Sequence, residues 1–278
     1  MRLGHGEKSA LPVAAFLLVG FAAPLIAVIW FSFMPPRSFS LAAAPTLENY
    51  KTIFEGTNYI SFLWSLGLAV LAVGLLALIC YPVAYGLVRV FGRWSMLLTL
   101  LFTIPLFVSE NIRLYGWVLF LIKNGVLLGT LKTFFGVQPE SILFTLPAIV
   151  LGMVYVYLPL MVLPLFATID RFDMRLLEAG YDLYAGRWHV LRRIILPIIR
   201  PGIIAGSILV FIPCLGAYVT PRILGGGKNM MIGNFIELQF GQGRNWPMGS
   251  ALSVALLMIV TVALLVYVRT ISGERKNG

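Results

Sequence analysis

Charge is scarce in this sequence. Of 278 residues, 12% are Asp, Glu, Lys or Arg, about half the share found in soluble domains. Only 11 are acidic. The loops hold no convergent set of acid, base and nucleophile, which argues against a membrane enzyme. The two histidines, His5 and His189, provide no His-based metal site or triad, and no metal site is expected. The two cysteines, Cys80 and Cys214, lie inside apolar runs without metal-ligand spacing, so free buried thiols fit them better than a disulfide.

Hydrophobic residues make up 59% of the chain. No soluble fold of this length hides so much apolar surface, so lipid must act as part of the solvent. The net charge of +10 does not indicate nucleic acid. The basic residues fall in short stretches between apolar runs, as cytoplasmic loops of membrane proteins do, with no continuous basic face.

Charge-free windows locate the spans, each near the roughly 20 residues that cross the hydrocarbon as a helix. They are Leu11–Phe33, Phe62–Val88, Ile142–Ile169, Gly202–Thr220 and Pro247–Val268. The first resembles a signal peptide, with Arg2 and Lys8 before it and Ala42-Ala43-Ala44 after it. It is too long for a signal core of about 7–15 residues and reads as an uncleaved span.

The third span, over 94–121, is irregular. The window Trp94–Ser109 contains Pro105, Glu110 and Arg113 follow, and Leu114–Ile122 is apolar again. Two readings stay open: a broken helix lining a pathway, or a short span followed by an interfacial helix. The expected fold is an all-α integral membrane protein of six transmembrane helices, forming one membrane domain over 1–278. The outer segments Pro35–Ser61 and Pro221–Trp246 have the length of short helices and turns. More than half of the 21 Lys and Arg lie inside when both termini are placed in the cytoplasm. Arg171, Arg175, Arg187, Arg192, Arg193 and Arg200 of a single loop carry that bias.

That loop, residues 170–200, is the longest charged stretch. Asp173 is placed to cap a helix. Leu176, Leu177, Gly180, Tyr181, Leu183 and Tyr184 then follow helical spacing and predict an apolar stripe rimmed by Arg175, Glu178 and Asp182. Gly186 allows a turn. Leu191, Ile194, Ile195 and Ile198 share one face of a second stretch, with Arg192 and Arg193 outside it, before Pro197 and Pro201. Such helices either dock in a groove on another protein or lie on lipid headgroups, and the pattern leaves both open.

The string Glu178-Ala179-Gly180, Asp182-Leu183, Ala185, Ile194, Leu196 and Pro197 resembles the EAA loop of binding-protein-dependent ABC importer permeases. Two positions depart from that pattern: Gly180 replaces an alanine, and Tyr184 replaces a glycine. Thr46-Leu47-Glu48-Asn49-Tyr50, Ile112-Arg113-Leu114-Tyr115-Gly116-Trp117, Pro201-Gly202-Ile203-Ile204-Ala205-Gly206 and Met231-Ile232-Gly233-Asn234 extend the likeness. So does Asn245-Trp246-Pro247. Together they are similar to the spermidine/putrescine permease branch.

The resemblance implies a type I importer-like permease in a bacterial inner membrane. Such a subunit is non-catalytic and forms half of a translocation path with a second, paralogous permease subunit. Two ATP-binding subunits would bind ATP and Mg and receive the loop as a coupling helix; no cofactor is expected on this chain itself. A soluble extracytoplasmic binding protein would deliver the solute, a polyamine or similar small cation. Glu178 is the leading coupling residue. Glu237, Glu110, Tyr115, Trp117 and Trp246 are candidates for the solute pathway, and Gly202 with Gly206 for helix packing. Gly225-Gly226-Gly227-Lys228 is no phosphate loop, because Arg222 and Asn229 stand where glycine and Ser/Thr are required. A secondary transporter acting without an ATPase is the alternative; it would want ionisable residues in mid-span, and none stands clearly there.

Overall fold

The computed structural model describes residues 5–274 apart from 41–42, 56–57, 137–139, 174, 185 and 229. The described residues form helices and turns, with no strand among them. In chain order the helices are α1 (His5–Ser32), α2 (Glu48–Glu55), α3 (Asn58–Phe91), α4 (Ser95–Thr103) and α5 (Glu110–Leu121). Next come α6 (Val126–Phe135), α7 (Leu146–Asp170), α8 (Arg175–Asp182), α9 (Arg187–Val190) and α10 (Leu196–Leu215). The last are α11 (Val219–Leu224), α12 (Ile232–Phe240) and α13 (Trp246–Glu274). Among the described residues six helical stretches are long and apolar enough to cross a membrane.

The chain divides into two compact units, Met1–Ser61 with Phe235–Gly278, and Phe62–Asn234. In the first, α1 packs along α13, and α2 packs against α13. The end of α1 leaves carbonyls without helical donors. Asn49 supplies donors: its buried Nδ2 donates to Ser32 O at 3.2 Å and to Met34 O at 2.7 Å. Tyr50 donates its hydroxyl to Ser32 Oγ at 2.8 Å. The Thr46–Tyr50 string is therefore a clamp on the exit of α1.

In the second unit α7 packs along α10. Helix α7 is apolar all round, which suits a helix enclosed by others. Of its most apolar window 56% is buried, against 6% for α1, whose side chains face outward where lipid would be. Glycines set the close approaches. A Cβ on Gly202 would meet Thr168 Oγ1 and, at 2.9 Å, the Pro164 carbonyl of α7. One on Gly206 would meet Met161 Sδ at 2.5 Å. Gly152 leaves room on α7 for Thr220 and Leu224 of α11 and Leu114 of α5.

The Met231–Asn234 string also ties turns together. Asn234 donates Nδ2 to Tyr218 O at 2.8 Å, and its Oδ1 accepts from the Met231 amide at 3.2 Å. The Ile232 amide donates to Ser65 Oγ at 2.7 Å. Gly226, at φ 59°, turns the chain after α11 against the Phe144 ring. Cys80 and Cys214 are free and buried.

Two stretches differ from the charge-free windows. The third, expected over 94–121, is divided: α4 belongs to the stretch Tyr59–Phe107 and gives way to a 3₁₀ turn over Ile104–Phe107, Val108 and Ser109 are extended with ψ near 135°, and a new stretch, Glu110–Phe135, opens with α5. Pro105 has no N–H to continue the α-helical ladder. The helix of the fifth stretch begins before Gly202 and ends at Leu215, which places Thr220 in the separate α11. Charge marks the window, but a helix backbone continues through Arg200 because a long cationic side chain reaches toward water.

Candidate functional site

The first candidate site is the loop between α7 and α10. Asp173 caps α8, its Oδ1 accepting from the Arg175 amide at 3.0 Å. The helix closes with Leu183 N–H donating to Ala179 O at 3.2 Å and Tyr184 N–H to Tyr181 O at 2.9 Å. Tyr184 itself takes φ 57°, the left-handed cap conformation that glycine adopts cheaply. The residue is 99% exposed. The departure from the family pattern thus changes the side chain presented at the turn and keeps a left-handed backbone.

The predicted stripe separates into two parts. Leu177 and Gly180 are buried, and a Cβ on Gly180 would meet Ile194 Cδ1 at 2.6 Å and Val190 Cγ2 at 3.6 Å. They hold α8 against the helix that leads into α10. The rest is outward: Leu176, Glu178, Ala179, Tyr181, Asp182, Leu183 and Tyr184 are exposed. Ala185 lies outside the described residues.

After Gly186 the chain turns into α9 and then into a wide helical turn, Leu191–Ile195, closed by Leu196 N–H donating to Leu191 O. Pro197 has no N–H to give to the preceding turn, and the widened turn shifts the ladder ahead of it. Val190 and Ile195 are buried and Ile194 half-buried, while Arg192, Arg193, Leu196 and Pro197 are exposed.

The second candidate site is a polar cluster formed by α5, α7 and α11. Glu110 starts α5, where the helix dipole favours a carboxylate. Its Oε1 accepts from the Thr220 hydroxyl of α11 at 3.1 Å, and Thr220 is fully buried. Tyr157 of α7 donates its hydroxyl to Pro213 O at 3.3 Å, within electrostatic reach of Glu110 and Arg113. Arg113 Nε and Nη1 are buried without a hydrogen-bond partner among the described residues. Beside it runs a groove of about 310 Å³ lined by Arg113, Gly116, Trp117, Phe120 and Tyr155. The Trp117 ring meets Phe120 and Tyr155 edge-on, at 5.6 and 5.5 Å between centroids.

Residues 83–277, which contain both sites, match the family described as binding-protein-dependent transport system inner membrane component. The chain belongs to this family. It is 36% identical to the spermidine/putrescine transport system permease protein PotB of Haemophilus influenzae, over 92% of this chain and 91% of that protein. Identity to PotB of Escherichia coli K12 is 38%, over 81% of this chain and 82% of that one. The fold matches a chain in the crystal structure of a bacterial alginate ABC transporter in complex with an alginate pentasaccharide-bound periplasmic protein. The TM-score is 0.76 at 18% identity, covering 94% of this chain and 91% of that one. The protein is a multi-pass inner-membrane permease subunit of an ABC importer.

The remaining pathway candidates are Tyr115, Glu237 and Trp246. Tyr115 is exposed on α5, on a different side from Trp117, since residues two apart do not face each other on a helix. Glu237 and Trp246 belong to the first unit. There the Trp246 ring meets Phe39 and Phe240 edge-on at 5.4 and 5.5 Å, in an aromatic cluster. Sequence reasoning missed Tyr155, Tyr157 and Thr220. The signal for the two tyrosines was phenols amid an aliphatic run; Thr220 gave none, because only the fold brings it to Glu110.

Proposed function

We propose that this permease subunit works in an ATP-driven importer of polyamines or similar small cations, with α8 as the element that engages an ATPase subunit. The observation that carries the reading is the division of labour on α8. Leu177 and Gly180 anchor the helix to its own chain, and the opposite surface, including Glu178, Leu183 and Tyr184, is left outward. A short amphipathic helix held this way fits a groove on a partner. ATP-driven closure of two such partners would move the helix as a rigid body and switch the path between its two faces.

The polyamine assignment is supported by 36–38% identity to PotB proteins. Glu110 supports it chemically, as a carboxylate suited to an ammonium group. In this reading both termini lie in the cytoplasm, a second permease subunit completes the path, and a soluble binding protein delivers the solute. ATP and Mg belong to the ATPase subunits, and this chain carries out no catalysis.

The test is co-purification and uptake. Wild-type permease should co-purify with an ATPase, and Glu178→Ala should insert normally in the membrane while lowering solute-stimulated ATP hydrolysis. ATP-independent uptake by this chain alone in liposomes would overturn the reading.

A further inference from the structure

We infer that the helical stretch following α8 carries a binding site for the phosphate of an anionic phospholipid headgroup. The observation is a concavity of about 490 Å³ lined by Trp188, His189, Arg192 and Arg193. Among the described residues no carboxylate lines it. Neither guanidinium has a hydrogen-bond or ion-pair partner among the described residues. Positions one, four and five after Trp188 return to the same side of a helix, so one face collects the imidazole and both guanidiniums.

The ligand class follows from this chemistry. Two guanidiniums side by side offer forked donors that match phosphate oxygens, and the imidazole adds a further donor. The location selects the source of the phosphate. These residues open the continuous stretch Arg187–Leu215, which is long and apolar enough to cross a membrane. In this reading the basic cup at the start of that stretch meets the headgroups. Trp188, 71% exposed, is the side chain that favours that depth, where its ring meets acyl chains and its N–H meets water. A site facing a soluble anion would need neither the tryptophan nor the span beneath it.

The two readings that the loop pattern leaves open therefore apply to different halves of it. Helix α8 turns its exposed face to a partner protein, and α9 with the wide turn faces the membrane surface. The choice of the cytoplasmic leaflet rests on the proposed function; the headgroup chemistry does not.

The experiment uses the assembled transporter, purified with its partner subunits into nanodiscs. The discs contain phosphatidylcholine with or without phosphatidylglycerol, and native mass spectrometry counts retained lipid. Wild type should retain phosphatidylglycerol in preference to phosphatidylcholine. Arg192→Gln with Arg193→Gln should weaken that retention on the order of thirtyfold. Arg192→Lys with Arg193→Lys should restore part of it, since charge returns without the fork. Equal retention by wild type and the glutamine variant overturns the inference. Displacement of the lipid by millimolar inorganic phosphate also overturns it, because the site would then bind free anions. So does loss of the ATPase from the glutamine variant with lipid retention unchanged, because the surface would belong to the ATPase. Solute uptake is measured separately, so failure of the importer reading leaves the lipid count intact.

Discussion

Glu110 and Thr220, 110 positions apart, are joined by a 3.1 Å hydrogen bond from hydroxyl to carboxylate. The bond fixes the first turn of α5 to α11 beside the Tyr157 hydroxyl of α7. The carboxylate shares the cluster with the positive charge of Arg113, so its use as a cation site is a matter for direct test.

Glu110→Gln isolates that charge, because the amide oxygen can still accept from Thr220. The apparent KM for a polycationic solute in reconstituted uptake should rise about tenfold, the scale of one charge-assisted hydrogen bond. Co-purification with the ATPase should not change. Thr220→Val keeps the carboxylate and loses its support, so uptake should fall by less. Unchanged kinetics in Glu110→Gln would reduce the carboxylate to a helix-starting role.

Gly202 and Gly206 make different demands on α7. A Cβ at Gly202 would press on the Pro164 carbonyl, which is backbone and cannot move aside, as well as on Thr168. At Gly206 its nearest neighbour would be the flexible end of Met161. Gly202→Ala should therefore cost about 1–3 kcal/mol despite the better helix propensity of alanine. Gly206→Ala should cost less. Thermal unfolding midpoints in detergent give the comparison, and a larger loss at Gly206 would contradict the packing described.

Asn49→Ala removes both donors that close the end of α1. Leaving Ser32 O and Met34 O without them should cost roughly 2–3 kcal/mol. The thermal midpoint should fall, and limited proteolysis should become faster between α1 and α2. Asn49→Asp should do no better, since a carboxylate beside two carbonyls has nothing to donate.

The apolar windows made the all-helical membrane class and the number of spans legible, because lipid forces long charge-free runs. The loop was legible through its spacing, as Asp173, Gly180 and Ile194 illustrate. What stayed hidden was set by other parts of the chain. Whether Leu177 or Tyr181 turns outward depends on Val190 and Ile194, which follow a turn. The end of α10 at Leu215 depends on a backbone turn inside an uncharged run. Thr220 became a partner of Glu110 only when α11 packed on α5.

Tyr184 combines two unfavourable features. Its backbone is left-handed, a conformation costing about 1–2 kcal/mol for a residue with a Cβ, and the residue is 99% exposed. Glycine at this position would remove the backbone cost and the exposed ring together. If the ring is what the ATPase subunit grips, the two effects separate in a pair of variants. Tyr184→Gly should raise the thermal midpoint of the isolated permease, whereas Tyr184→Ala, which keeps the strain, should not. Both should lower ATP-coupled uptake to a similar extent, severalfold, because both lose the ring. Full uptake in Tyr184→Gly would show that the turn needs only its backbone shape. The ring would then have no part in selecting the partner.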